Sequence, residues 1–342
     1  MKLLITTQVV DRDDPLLGFF HSWITAFAKQ CEEVTVVCLK EGMHDLPANV
    51  RVLSLGKERG RVSRVRYALR FWKIIWQERT HYTDVFVHMN HEYIVLGGLL
   101  WRLLHRPIIF WYVHKQVTWK LRFATWCANY ITTATAETFP LSTPKLRVVG
   151  HGIDTTFFSP AASVKKDTSL KLLSVGRLSS TKRHERVVEV CAELGPPAEL
   201  SIVGAAAARG DAVYEKSLRG LVSELGLSTR VHFLGARTQH QMRDIYHAAD
   251  MLVHTSQTGG MDKVVLEALA CGLPVVTTST VFAQGELPAH FVSDDSPESV
   301  ARVIRAVMAA PYDAISLSAP VCRLHSVEHC TGQILSLYAH TS

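Results

Sequence analysis

The chain has 342 residues, 47% of them apolar and 20% charged, which excludes a disordered chain and suffices for two domains of ordinary size. A formal net charge of +6 fits an anionic partner, but no RNP, helix-turn-helix or zinc pattern is present, so nucleic acid is not expected as that partner. Seven cysteines, at 31, 38, 127, 191, 271, 322 and 330, form no CxxC pair and sit mostly in apolar runs, which points to reduced core thiols in a cytoplasmic protein.

The first ten residues, MKLLITTQVV, are too short an apolar run for a signal peptide and read as a first strand, Leu3–Thr6. A polar loop follows with Asp11, Asp13, Asp14 and Pro15; Gly18 opens a helix from about Phe19 to Gln30, and Val34–Leu39 is the next strand. Strand, glycine loop, helix, strand is how a doubly wound sheet begins. The loop acids, Asp14 among them, suit either acceptor hydroxyls or helix capping.

Residues 57–80 place Arg59, Arg61, Arg64, Arg66, Arg70, Lys73 and Arg79 among Val62, Val65, Leu69, Trp72 and Trp76. This is the pattern of a basic amphipathic helix whose tryptophans can rest on an anionic membrane surface, and the stretch Trp119–Phe123 with Trp126 can extend it. The other reading is a core helix whose long cations cover apolar surface. Asp84–His88 is a strand, Tyr93–His105 a helix and Ile108–Val113 a strand. The apolar stretch from Tyr93 to Val113 is broken by Arg102, His105 and Arg106, so no transmembrane helix is expected. His88 and His114 both fall at strand C-terminal ends, the edge that faces the ligand crevice in open α/β sheets. Ile131–Ala134 and Arg147–Val149 are short strands. His151–Asp154 is a turn before a small, polar linker, Ser159–Ser169.

The rhythm restarts with the strand Lys171–Val175 and the loop carrying Arg177 and Lys182. A helix over His184–Leu194, a strand over Glu199–Val203 ending at Gly204, and a helix over Tyr214–Leu225 come next. Val231–Leu234 is a strand ending at Gly235, and Gln239–Ala249 a helix. Then comes the stretch VHTSQTGGMDKVVLEALACGLPVVT, Val253–Thr277: strand, glycine turn at Thr258-Gly259-Gly260, helix over Lys263–Cys271 stopped by Gly272, and strand. A glycine turn opening a helix offers free N–H groups and the positive end of the helix dipole to a phosphate. Arg177 and Lys182, five apart in one loop, can share a pyrophosphate. Glu267, a lone acid on that apolar helix, needs a hydrogen-bond partner such as a sugar diol. Cys322, His325, His329 and Cys330 mimic metal spacing, but read as a helix they spread over more than two turns; no metal is assigned.

The second half resembles the C-terminal domain of the retaining GT-B glycosyltransferases of family four, glycosyl transferases group 1. The residues that carry this are SVGRLSSTKRHERVVE (174–189), SIVG (201–204), RVHFLG (230–235), Ala249-Asp250 and VVLEALACGLPVVTT (264–278), with VVGHGIDTTFFSP (148–160) similar to the family's inter-domain turn. The resemblance covers most of 145–280 and weakens over the first half, where it rests on Gly18, His114 and the strand rhythm. It implies a GT-B fold, two Rossmann-like domains facing across a cleft: an acceptor domain over 1–158, a nucleotide-sugar domain over 170–320, and a C-terminal helix, 321–342, crossing back to the first domain. It implies that Arg177 and Lys182 bind the donor diphosphate and Glu267 the ribose. The base is expected near Gly204, Leu234 and Gly235, and the donor sugar along Gly259, Gly260, Met261 and Asp262. His114 is implied to sit beside the transferred sugar, with Gly18 in the donor loop; His88, from its strand-end position, and Asp14, from the loop acids, are expected toward the acceptor. The first Glu of the family's E-x7-E motif falls on Gly259, a departure from the pattern; Asp262, three positions on, is the residue that can replace it.

The function implied is a metal-independent retaining hexosyltransferase, without cofactor, using a UDP- or GDP-linked sugar. The basic tryptophan-rich segment, read from its own residues, points to a lipid-linked sugar or a polysaccharide of the cell envelope as acceptor and to a cytoplasmic place, peripheral on the inner face of the membrane through Arg64, Arg66, Arg70, Trp72 and Trp76. A GT-B nucleotide-sugar 2-epimerase and a non-catalytic sugar-nucleotide or glycan-binding subunit are the alternatives, the second motivated by Gly259.

Overall fold

The computed structural model describes residues 1–60, 62–161 and 169–341. Arg61 and most of the expected linker lie outside them. The chain divides into two compact units, Met1–Asp154 with Leu324–Ser342, and Thr155–Arg323.

The first unit is built on strands β1 (Lys2–Val10), β2 (Glu33–Glu41), β3 (Val50–Ser54), β4 (Asp84–His88), β5 (Ile108–Trp111), β6 (Tyr130–Thr133) and β7 (Leu146–Val148). They form a parallel sheet in the order β3-β2-β1-β4-β5-β6-β7. Successive side chains point to opposite faces, and both faces are apolar, as a parallel sheet requires. Leu3, Ile5, Val34, Val36, Phe86 and Ile109 enter one core with helix α1 (Phe20–Ala28). Leu4, Val37, Val85, Val87, Ile108 and Phe110 enter the other, under helices α2 (Arg64–Gln77), α3 (His91–Leu103) and α4 (Trp119–Cys127).

The basic segment is shorter as a helix than its pattern suggests. Gly60 takes φ 117°, which a helix cannot accommodate, and the Ser63 hydroxyl accepts the Arg66 N–H, so the helix starts at Arg64. The turn at His151–Asp154 is packed, not free. Gly152, at φ +65°, lies so close to Trp23 that an added Cβ would meet the ring at 2.2 Å, and the Trp23 indole donates to its carbonyl at 2.9 Å.

The second unit holds β8 (Leu170–Val175), α5 (His184–Leu194), β9 (Ala198–Val203), α6 (Arg209–Glu224), β10 (Val231–Gly235), α7 (Gln239–Ala248), β11 (Met251–His254), α8 (Lys263–Ala270), β12 (Val275–Thr277), β13 (His290–Phe291) and α9 (Pro297–Ala309). Its parallel sheet runs β10-β9-β8-β11-β12-β13. Helix α6 starts five residues before the expected Tyr214, because the Asp211 carboxylate accepts the N–H groups of Ala207 and Ala208 and closes the first turn there. Helix α10 (Ala314–His325) leads into α11 (Val327–Tyr338), which packs on α1, while the Tyr338 hydroxyl donates to the Val85 carbonyl at 2.6 Å. Cys31, Cys38, Cys127, Cys191, Cys271 and Cys330 are buried; Cys322 is exposed.

Candidate functional site

In each sheet the strand order reverses once, between β1 and β4 and between β8 and β11. The loops leaving two such strands diverge, and ligands of open α/β sheets bind in the gap at their carboxyl ends. In the second unit the loop after β8 carries Arg177 and Lys182, and the loop after β11 carries Gly259 to Asp262. The two loops are tied together: the Gln257 N–H donates to the Thr181 carbonyl at 3.0 Å and the Thr255 hydroxyl to the Arg183 carbonyl at 2.9 Å.

Lys182 is largely buried, with its ammonium 2.6 Å from Asp262 Oδ2 and 3.4 Å from the Ser256 hydroxyl. Asp262 stands at the N-cap position of α8 but does not cap it; its carboxylate turns to Lys182 and to the His254 ring, 2.8 Å away. Burial alone would raise the Asp262 pKa, but the His254 hydrogen bond and charge and the Lys182 ammonium outweigh it and hold the carboxyl well below the usual range. The first-turn N–H groups of α8 are therefore not consumed by the side chain before them. Arg177 is more open, its Nε 3.6 Å from Asp211. Gly259 has φ 62°, a left-handed turn that favours glycine. Gly260 is half-buried and Met261 buried beside it.

Gly204 ends β9 against the backbone of Gly176: a Cβ there would lie 1.8 Å from the Gly176 oxygen. Its N–H donates to the Gly235 carbonyl at 3.0 Å, so Gly204, Leu234 and Gly235 form one backbone-lined corner at the sheet edge. Glu267 accepts a hydrogen bond from the Tyr246 hydroxyl at 2.9 Å. Burial pushes the Glu267 carboxyl up, against the Lys263 charge and the Tyr246 hydroxyl. Tyr246, His254 and Asp211 escape motif reading because each acts through a strand or helix neighbour distant in sequence. A histidine at a strand end, like His88 and His114, was the available signal for His254.

Beneath the Arg177–Lys182 loop, His184 is buried, with Nδ1 2.8 Å from the Ser174 hydroxyl and Nε2 3.3 Å from the Arg177 carbonyl. Burial lowers its pKa to about 4, and burial likewise lowers that of His325 in the first unit to about 4. A depressed folded pKa means that the unfolded chain takes the proton first. Stability is full above the unfolded value near 6.5 and is lost as pH falls toward 4, by about 1.4 kcal/mol per pH unit for each histidine. Urea midpoints at pH 7 and pH 5 check this: the wild type drops, and His184→Gln removes its share of the drop.

In the first unit, Asp14 Oδ1 accepts the N–H groups of Leu16 and Leu17, and its carbonyl accepts the Gly18 N–H. Gly18 is obligatory there, since a Cβ would lie 2.6 Å from the Asp14 oxygen. His88 does not present its ring to the loop surface as the strand-end reading suggests. It is 2% exposed, stacked on Phe20 at 3.9 Å, with Nδ1 3.1 Å from the Thr7 hydroxyl, so its ring supports the core. His114 is exposed past β5, and its Nδ1 accepts the Gln116 N–H. On α2, Arg64, Arg66, Arg70, Trp72 and Trp76 are exposed, though the Arg70 guanidinium also donates to the Leu55 carbonyl at 2.7 Å.

Two Rossmann-like parallel sheets on one chain define a GT-B fold. HepE from Anabaena, solved in complex with UDP, superposes over 99% of this chain and 100% of its own, with TM-score 0.77 at 19% identity. Residues 156–316, just under half of the chain, match the family model of the glycosyl transferases group 1. The chain is 32% identical over 160 residues to a D-inositol 3-phosphate glycosyltransferase of Corynebacterium jeikeium, covering 42% of this chain and 38% of that protein. It is 29% identical over 176 residues to the putative colanic acid biosynthesis glycosyltransferase WcaL of Escherichia coli, covering 48% of this chain and 42% of that protein. These matches span about two fifths of the relatives' length.

Proposed function

We propose that this chain is a retaining, metal-independent glycosyltransferase that moves a hexose from a nucleoside-diphosphate sugar to a glycan or lipid-linked acceptor of the cell envelope. The observation that carries it is the convergence, at the second unit's strand-order reversal, of the Arg177–Lys182 loop with the uncapped N-terminus of α8. Two cations and a helix N-terminus neutralise a leaving diphosphate, which is the charge that grows as the sugar departs. Glu267, held by Tyr246, suits ribose hydroxyls, and the Gly204–Gly235 corner suits a base read through backbone atoms. The sugar C1–oxygen bond to the diphosphate breaks while the acceptor oxygen bonds C1 on the same face; the acceptor's proton passes to the leaving phosphate oxygen. His114 and Asp14 of the first unit belong, in this reading, to the sugar and acceptor side. Uracil is the favoured base, because the similar fold of HepE is also solved with UDP-glucose.

The test is product analysis by NMR with UDP- and GDP-sugars, with and without glycan acceptors. Transfer with the anomeric configuration kept is expected. An inverted product contradicts the mechanism, and a free 2-epimer formed without acceptor would replace the reading with an epimerase. Gly259 favours a second reading, a non-catalytic binding subunit, which tight nucleotide binding without turnover would support.

Contact with an anionic membrane is the further part of the proposal. Val65, Leu69, Trp72 and Trp76 recur at i, i+4, i+7 and i+11 on α2 and are all exposed, Trp72 at 46% and Trp76 at 52%. Trp119 and Trp126 of α4 are exposed at 67% and 55%. Cations Arg66 and Lys73 flank the stripe, the arrangement of an interfacial helix. No helix among the described residues is long and apolar enough to cross a membrane. In flotation with phosphatidylglycerol vesicles, the wild type rises with the lipid and the Arg64→Glu, Arg66→Glu, Lys73→Glu variant stays behind; Arg70 is spared because of its bond to Leu55. Equal flotation of both removes the membrane from the account.

A further inference from the structure

A buried polar chain continues beneath Lys182 and Asp262 through His254 to Thr277. His254 closes β11, and Thr277 is its register partner on the adjacent parallel strand β12. That pairing sets the Thr277 hydroxyl 2.9 Å from His254 Nδ1, while Nε2 lies 2.8 Å from Asp262 Oδ2. The ring is 4% exposed and is packed edge-on by Phe282. Thr277 Oγ1 accepts the Ser279 N–H and still has its own proton and a second lone pair to pair with Nδ1. The ionised Asp262 can only accept, so Nε2 carries the proton given to it. The same Asp262 oxygen accepts from Lys182.

We propose that His254 is a positioning residue for the anion-binding lysine: anchored by Thr277, it fixes the Asp262 carboxylate, which aims the Lys182 ammonium. Lysine has four side-chain torsions and no preferred direction, so a lone ammonium would lose binding energy to the entropy of being held. Here two of its three donors are directed at Asp262 and Ser256, which leaves the third for a ligand oxygen. Asp262 could not do this as an ordinary helix cap, because its carboxylate would then face the α8 N–H groups. The histidine turns it away from them, which orients Lys182 and leaves the start of α8 uncapped by that side chain. The proposal rests on the reading of the site as a diphosphate site, and its test separates the two.

The first measurement needs no ligand. Lys182 is acylated with acetic anhydride and followed by mass spectrometry in the wild type, in His254→Phe, which keeps the packing against Phe282, and in His254→Gln, which keeps a donor toward Asp262. Acylation of Lys182 is expected to rise several-fold in His254→Phe and to return toward the wild-type rate in His254→Gln. An unchanged rate in His254→Phe overturns the proposal whatever the ligand is. The second measurement is UDP affinity by calorimetry in a double-mutant cycle. His254→Phe is expected to weaken UDP binding roughly tenfold in the wild-type background and to have no further effect in Lys182→Ala, since it acts through that side chain. Equal losses in both backgrounds mean a general structural role and overturn the proposal. If the wild type binds no UDP or other nucleoside diphosphate, the diphosphate reading fails, and the acylation rates still decide whether His254 holds Lys182.

Discussion

On the proposed function, Lys182→Ala is expected to lower sugar-nucleotide turnover by about two to three orders of magnitude while the chain stays folded. The size follows from where the charge sits. Lys182 is partly shielded from water, so its ammonium would act on the proposed departing diphosphate with less dielectric screening than a surface lysine would. The substitution also has a structural cost, because Asp262 loses its neutralising cation and keeps the neutral Thr258 hydroxyl and the His254 ring. That cost is about 1–3 kcal/mol of stability. The two effects separate in the double variant Lys182→Ala, Asp262→Asn: removing the charge that lost its partner recovers stability, and turnover stays low. Recovery of turnover along with stability would mean that Lys182 serves the fold and not the ligand. Thermal melts and initial rates on the wild type, Lys182→Ala and the double variant decide it.

Gly204→Ala is expected to cost about 3 kcal/mol or more. The Cβ would fall 1.8 Å from the Gly176 oxygen and 2.8 Å from its carbonyl carbon, and both are backbone atoms that cannot rotate away. Glycine's φ of +145° there adds a conformational penalty for any other residue. Relief requires the strand end to part from the loop that bears Arg177 and Lys182, so nucleotide affinity falls together with stability. Gly226→Ala is the control. Its φ is +67° but nothing lies within 4 Å, so only the left-handed penalty of about 1–2 kcal/mol applies. Equal losses in the two variants, read as urea midpoints, would show that the close approach has no energetic weight.

The parts of the fold that were legible from sequence are those where local pattern and tertiary role agree. The strands of both sheets show as apolar runs because parallel sheets bury both faces, and Gly272 marks the end of α8 by its left-handed φ of +72°. Helix α9 was overlooked although Ser296, Pro297 and Glu298 form a strong start signal; the Ser296 hydroxyl accepts the Ser299 N–H there. Strand β3 was missed because its five residues, Val50–Ser54, are all half-buried and include an arginine paired with Glu33 and Glu78. At the site, Arg177, Lys182 and Glu267 stand out as polar residues in constrained places. Their partners do not. Asp262 meets Lys182 across 80 positions, and Tyr246 meets Glu267 across 21, so only the folded chain brings each pair together. His88, expected toward the acceptor from its strand-end position, is buried and stacks on Phe20, a neighbour that its sequence position does not reveal.

The central claim is that the reversal point of the second sheet binds a nucleoside diphosphate. Thermal shift of the purified protein against UDP, GDP, ADP and CMP tests it most directly. The account predicts that at least one nucleoside diphosphate, with UDP favoured, raises the melting temperature of the wild type and that Arg177→Ala abolishes the rise. No shift with any of them, or a shift that Arg177→Ala leaves intact, would contradict it.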